Sequence, residues 1–259
     1  MTAPLDTRLA GLPLGNGVAI LESLPCGLVA FSKPAGILSH PNELGDEARS
    51  LLSAPYSLAD ECYQWKQGPE DSSETRRLWL LNRLDSATSG VILAAGDAVL
   101  ASGIRAQFKK KRIRKVYCAL VFGAPSVPVQ VWRDRLSIDK RGGQIRTRGE
   151  GNIPCESAMQ LVRCRRGQPL ISLIRLEPRT GRSHQLRVQC ALHGLPIVGD
   201  ATYGDFSANR RFTQLTGHKR LFLHSLETSF SFEFQGREIE FHAKAPLPEE
   251  FASVMKAAS

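Results

Sequence analysis

Apolar and polar positions along this chain fall into short runs, most of them of strand length. Residues 18–22 and 27–32 read as two strands about a Pro25-Cys26-Gly27 turn. Lys33-Pro34-Ala35-Gly36 breaks the chain, and His40-Pro41 follows. From 42 to 77 periodicity is weak. A short helix is expected over 47–53, stopped by Pro55, and a polar loop over 68–75. Next come two apolar runs around a charged loop, Trp79-Leu80-Leu81-Asn82-Arg83-Leu84-Asp85-Ser86-Ala87-Thr88-Ser89-Gly90-Val91-Ile92-Leu93-Ala94-Ala95. A charge between two segments that must be buried is either paired or functional, which singles out Asp85.

Beyond that stretch, Asp97 is expected to cap a helix running to about Lys109, followed by a strand over 114–122. Residues 132–138 and 144–147 form hairpin arms around Lys140-Arg141-Gly142-Gly143, where paired glycines suit a tight turn. A second hairpin spans 157–162 and 170–176. A polar loop over 177–183 enters a helix over 184–193, with Ser183 as N-cap and Gly194 as its stop. Late strands are expected over 220–223 and 226–234, with a Gln235-Gly236 turn to 238–241. Alternation in Phe230-Ser231-Phe232-Glu233-Phe234 marks one buried face. Many short strands and few helices predict an α+β fold, a mixed and mostly antiparallel sheet with flanking helices. Residues 1–17, rich in Pro and Gly, read as an N-terminal tail or a strand-edge segment, and 18–259 as the folded domain.

Composition narrows the function classes. Apolar residues make up 42% and charged residues 23% of the 259, as in ordinary globular proteins. Against 25 Asp+Glu stand 34 Lys+Arg, a formal charge of +9 and a pI near 9.5. That excess suits a polyanionic partner, nucleic acid or an anionic membrane surface, and on charge alone it suits an inert basic surface equally. The densest run is Arg105, Lys109, Lys110, Lys111, Arg112, Arg114 and Lys115, with further basic turns at Lys140-Arg141 and around 163–166. Its bland reading is a solvated helix end whose cations complement the helix dipole. Cys26, Cys62, Cys118, Cys155, Cys164 and Cys190 show no C-x-x-C pair, which argues against a zinc site or disulfide framework and suits a reducing cytosol. No signal peptide is evident at the N-terminus, and no apolar run approaches the ~20 residues of a membrane span. The expectation is a soluble, cytoplasmic protein.

No G-x-G-x-x-G or Walker-type loop is present, so nucleotide cofactors are not expected, and no G-x-S-x-G elbow supports a serine hydrolase. His184, His193, His224 and Asp200 fit no metal-ligand spacing. In Arg179-Thr180-Gly181-Arg182-Ser183-His184-Gln185-Leu186-Arg187, Gly181 permits a sharp turn. Arg182, His184 and Arg187 are expected near a helix N-terminus, a place suited to anions.

Together these residues resemble the pseudouridine synthases of the RluA type over most of the chain. Asn82 to Gly90 resembles the family's H-R-L-D-x-x-T-S-G, and Lys115-Val116-Tyr117-Cys118-Ala119-Leu120-Val121-Phe122-Gly123 its K-x-Y-x-A-x-V-x-G. Arg179 to Arg187 resembles R-T-G-R-T-H-Q-I-R, and Leu195-Pro196-Ile197-Val198-Gly199-Asp200 with Tyr203-Gly204 resembles H-P-I-x-G-D-x-x-Y-G. Lys33 to Gly36, His40-Pro41 and 220–224 also fit. The resemblance implies an enzyme that converts uridines of structured RNA, rRNA or tRNA, to pseudouridine, with no cofactor and no metal. Asp85 would be the nucleophile that lets the N1–C1′ bond break so that the base rejoins through C5. Tyr117 would stack on the flipped uracil and help remove the C5 proton, Arg182 would pair with Asp85, and Arg83 would fill the space left by the extruded nucleotide. The target atom is unreachable in a stacked helix, so flipping at a cost of a few kcal/mol is expected, and an aromatic platform returns about 1–3 kcal/mol.

The chain departs from the family pattern at Asn82 and Leu195, where His is usual, at Ser183 for Thr, and at Gln189-Cys190 for His-Leu. Serine keeps the threonine hydroxyl, whereas asparagine loses a titratable group. Residues 1–17 are too short for the separate RNA-binding domain of many relatives, so substrate contacts are expected from the catalytic domain, a monomer with no obligate protein partner. Two other readings stand beside this one: a catalytically inactive RNA-binding protein on the same fold, and a nucleoside hydrolase. Hydrolases of the glycosidase type need two carboxylates, and Glu177 is the only weak candidate for a second.

Overall fold

The computed structural model describes residues 9, 11–67, 74–141 and 144–256. Most of the expected N-terminal tail, the 68–73 part of the polar loop and the Gly142-Gly143 turn lie outside the described residues. The chain divides into two compact units, 1–113 with 227–245, and 114–226 with 246–259.

The first unit holds β1 (Ala19–Ser23), β2 (Leu28–Lys33), β3 (Tyr56–Ser57), β4 (Cys62–Gln67), β5 (Glu74–Leu80), β6 (Ser89–Ala95) and α1 (Ala98–Lys109). β1 pairs with β2, β2 with β6, β6 with β5, β5 with β4 and β4 with β3, all antiparallel. β2 and β6 are apolar without alternation because both their faces are covered. Val29, Phe31, Ile92 and Ala94 enter one core with Leu51, Leu52, Tyr63 and Leu78. Leu28, Ala30, Val91 and Leu93 enter another beneath Leu100, Ala101 and Ile104 of α1. Asp97 caps α1 as expected, its carboxylate accepting the Leu100 N–H at 2.8 Å.

One sequence expectation is corrected in this unit. The helix over 47–53 is only a 3-10 turn, Glu47–Arg49, because Leu51 and Leu52 are drawn wholly into the core. Within the stretch read as a tail or a strand-edge segment, Leu9 is 1% exposed and Leu14 bridges to Leu52, which fits the strand-edge alternative there. The weakly periodic region also contains β4, which buries Cys62 and Tyr63.

The second unit holds β7 (Arg114–Phe122), β8 (Val129–Arg141), β9 (Gln144–Gly149), β10 (Ile153–Arg165), β11 (Ile171–Pro178), α2 (Gln185–Leu192) and α3 (Phe206–Thr216). β12 (Leu223–Phe234) begins here, and the unit boundary falls within it after Leu226. It is one strand where two had been expected. β13 (Arg237–Lys244) pairs with it in the first unit, and α4 (Glu249–Lys256) returns to the second. Antiparallel pairing runs β7–β11–β10–β8–β9. Leu120, Phe122 and Ile171 on one sheet face pack with Phe212 of α3 and with Phe251 and Met255 of α4. On the other face, Leu136 and Cys155 pack against Val188 of α2. Gly199 is required where it stands: its φ is +77°, and a Cβ would sit 1.8 Å from the Arg220 carbonyl oxygen. The α+β class, a largely antiparallel sheet with flanking helices, is as expected. Among the described residues no helix is long and apolar enough to cross a membrane.

Candidate active site

Asp85 lies in the loop that links β5 to β6, half-buried, with Arg83 exposed two residues earlier. The backbone on either side of Asp85 is held. Ser39 Oγ accepts the Leu84 N–H at 3.0 Å and donates to the Leu84 carbonyl at 2.7 Å. On the other side, the Ser86 carbonyl accepts from the Gly36 N–H at 2.8 Å and from Lys33 Nζ at 3.0 Å. The Asp85 carbonyl itself accepts the Thr88 N–H at 3.0 Å, closing a turn. Such groups, buried away from water, must be paired, and here the pairing fixes the loop's course.

The Lys33-Pro34-Ala35-Gly36 segment thereby acquires a task that sequence reasoning did not assign. Lys33 is fully buried, and its amine donates to the carbonyls of Pro34 (2.9 Å), Ile37 (2.6 Å) and Ser86 (3.0 Å). Gly36 turns the chain at a φ of +90°, a left-handed value that presents its N–H to Ser86. Asn82, where the family has His, accepts the Leu93 N–H on its Oδ1 at 2.8 Å. Its role in this chain is to tie the loop to β6.

In the second unit, Tyr117 sits at the middle of β7, half-buried. Directly paired strand residues share a sheet face. Tyr117 pairs with Leu176 and Leu176 with Met159, and Ser157, two residues before Met159, donates to Gln189 of α2 at 2.7 Å. Tyr117 therefore lies on the face that α2 covers. Lys115 shares that face and donates to the Thr180 carbonyl at 3.5 Å. Burial pulls the Lys115 ammonium below its ordinary value.

Arg182 is exposed, in the loop before α2. Gln185, 3% exposed, holds that loop. Its Oε1 accepts from the Arg182 N–H (3.1 Å) and from Thr180 Oγ1 (2.7 Å), and its Nε2 donates to Ser157 Oγ (3.0 Å). Two expectations about this helix end fail. The N-cap is His184, not Ser183, and it adopts a left-handed φ of 54° with no side-chain cap. Arg187 does not face an anion site; it turns inward and forms a bidentate pair with buried Asp200 at 2.8 and 2.7 Å. An arginine and a carboxylate buried together satisfy each other, which leaves Arg182 as the exposed cation of the three expected near this helix end.

The structure thus places Asp85 and Arg83 on one loop of the first unit, and Tyr117 and Arg182 in the second. Among the described residues no group of three His, Cys, Asp or Glu side chains could hold a metal ion.

Comparison with known proteins places this chain among RNA-modifying enzymes. The fold is similar to that of human RNA pseudouridylate synthase domain containing 1, with a TM-score of 0.62 over 93% of this chain and 96% of that one at 18% identity. Residues 27–192 match the RNA pseudouridylate synthase family. Over 208 residues the chain is 34% identical to tRNA pseudouridine synthase C of Haemophilus ducreyi, covering 76% of this chain and 79% of that protein. Over 182 residues it is 34% identical to ribosomal large subunit pseudouridine synthase C of Escherichia coli, covering 68% and 54% respectively. The chain belongs to the RNA pseudouridylate synthase family, as its motifs imply.

Proposed function

We propose that this chain converts specific uridines of structured RNA, in rRNA or tRNA, to pseudouridine, with Asp85 as the nucleophile. The observation that carries the reading is the loop around Asp85. Leu84 is held by Ser39 and Ser86 by Lys33 and Gly36, so the carboxylate between them is presented at a fixed position. Pre-set placement of a reacting group is worth several kcal/mol of barrier.

Attack by the carboxylate, at C1′ or on the uracil ring, allows the N1–C1′ bond to break. The base turns, a C5–C1′ bond forms, the bond to the Asp85 carboxylate breaks and releases it, the C5 proton leaves and N1 takes up a proton. Every heavy atom stays in the same nucleotide, so the reaction needs no cofactor, oxidant or metal. Arg182 supplies counter-charge to the carboxylate, because a nearby guanidinium favours the ionised form. Tyr117 is the platform for the flipped uracil, and Arg83 fills the gap left in the RNA. What supports joining residues of both units is the order of the motifs that carry them. The reading includes a cytoplasmic monomer.

One experiment separates this reading from its rivals. The protein is incubated with cellular RNA, pseudouridine is mapped, and released uracil is assayed. New pseudouridine that disappears in Asp85→Asn is the expected result. Free uracil would show hydrolysis instead, and neither product would leave RNA binding alone.

A further inference from the structure

We propose that Tyr203, acting with Thr147, is the positioning residue for Arg182, an inference that rests on the role given to Arg182 above. The two residues that follow Arg182 are held from two sides. Ser183 offers its carbonyl to Thr147 Oγ1 at 3.0 Å, and His184 Nδ1 lies 2.8 Å from the Tyr203 hydroxyl. That same hydroxyl accepts the Thr147 N–H at 3.0 Å. An amide can only donate, so the phenol oxygen is the acceptor there, and its bond to His184 Nδ1 runs in the direction that the imidazole tautomer sets.

The position so held is a costly one. His184 stands at a φ of 54°, a left-handed conformation that L-residues other than glycine avoid, and its side chain does not cap α2. Strained backbone persists only where its surroundings over-determine it. Here the surroundings are Tyr203 and Thr147, and the residue whose direction they determine is the exposed Arg182.

Tyr203 is itself firmly seated. The Arg187 guanidinium lies 5.0 Å above its ring, and Arg187 is paired with Asp200. Asp200 Oδ1 in turn accepts the N–H groups of Thr202 (2.8 Å) and Tyr203 (3.0 Å). Thr147 is 1% exposed and stands in β9 between Arg146 and Arg148, both exposed. Neighbours along a strand point to opposite faces. The strand that offers two arginines to solvent on one side thus holds the Arg182 loop with the other.

Tyr203→Phe tests this, because it keeps the ring beneath Arg187 and removes only the hydroxyl. A displaced catalytic group costs up to about a hundredfold in rate, so kcat for pseudouridine formation is expected to fall about 10- to 100-fold with KM for RNA within about twofold. In an Arg182→Ala background the same change is expected to cost nothing further. Thr147→Val, which keeps the amide and loses the bond to Ser183, is expected to give a smaller loss in the same direction. An unchanged kcat in Tyr203→Phe overturns the proposal, as does a loss that multiplies with that of Arg182→Ala. Amide hydrogen exchange at Gln185 and Val188 gives a reading that needs no catalysis. It is expected to quicken in Tyr203→Phe, and unchanged exchange also overturns the proposal. If exchange quickens while the wild type makes no pseudouridine, it is the functional reading that fails and the positioning geometry that stands.

Discussion

Ser39 holds Leu84 by both of its backbone polar groups, accepting the N–H at 3.0 Å and donating to the carbonyl at 2.7 Å. The Ser39 carbonyl in turn receives the Tyr63 hydroxyl at 2.8 Å, so the grip is anchored in the core of the first unit. Ser39→Ala removes both bonds one residue before Asp85. A buried polar group left unsatisfied costs about 1–3 kcal/mol. Urea unfolding is expected to show a loss of about 2–4 kcal/mol, and kcat is expected to drop beyond what lost stability explains. A variant that unfolds at the wild-type midpoint would refute the assignment.

Lys33 makes the complementary hold on Ser86. Lys33→Met keeps the aliphatic stem and deletes the donors that reach the Pro34, Ile37 and Ser86 carbonyls. Because the site is fully buried, water does not replace them. The expected loss is about 2–5 kcal/mol, read by thermal unfolding, together with faster amide exchange at Thr88, whose N–H closes the Asp85 turn. Exchange at Thr88 equal to wild type would mean that Lys33 stabilises the fold without holding this loop.

Local signals made much of this fold legible, and long-range ones hid the rest. β7 falls on the expected span because Arg114 to Phe122 is an uninterrupted β-prone run, and α1 because Asp97 announces it. α3 was missed although Asp205 caps it and Gly217 ends it at a φ of +74°. Only Ala208 and Phe212 of its residues are buried, too few to print a helical stripe. α4 did carry a readable signal in Phe251, Val254 and Met255, spaced three and four apart behind Glu249 and Glu250. At the site, the motif around Asp85 was readable as a resemblance, but the tasks of Lys33, Ser39 and Tyr203 were not. Each bonds to backbone 45 to 56 residues away, and nothing in a local pattern marks such a contact.

The buried Arg187–Asp200 pair gives an acid dependence whose sign follows from its surroundings. Burial alone would push the Asp200 carboxyl up. The Arg187 guanidinium and the N–H groups of Tyr203 and Thr202 outweigh it and hold the group below its ordinary 3.8. A carboxyl that is more acidic when folded adds stability above its unfolded value, and that stability drains away as pH falls below 3.8 through the folded value. Asp200→Asn is expected to lose this acid-sensitive part and, at neutral pH, to cost about 3–5 kcal/mol, because Arg187 is left buried without its counter-charge. Unfolding followed from pH 7 down to pH 2 checks both statements. A variant whose stability parallels the wild type throughout would remove the pair from the account.

The seven cations between Arg105 and Lys115 do not act alike, and a salt titration is expected to separate them. Arg105 donates to the Leu80 carbonyl at 2.9 Å and pairs with Glu61 at 3.3 Å. Arg114 pairs with Glu177 at 3.0 Å, and Lys115 reaches the Thr180 carbonyl. Lys109, Lys110, Lys111 and Arg112 remain exposed at the end of α1. Those four are the expected phosphate contacts. Each contact released contributes about 0.7–0.9 to the slope of log affinity against log salt. Replacing all four by Gln is expected to weaken RNA binding most at low salt and to flatten the slope by up to about 3. Replacing Arg105 and Arg114 instead is expected to lower stability while leaving the slope unchanged. A slope that does not move in the fourfold variant would return the run to its plainer reading, a solvated helix end complementing the dipole of α1.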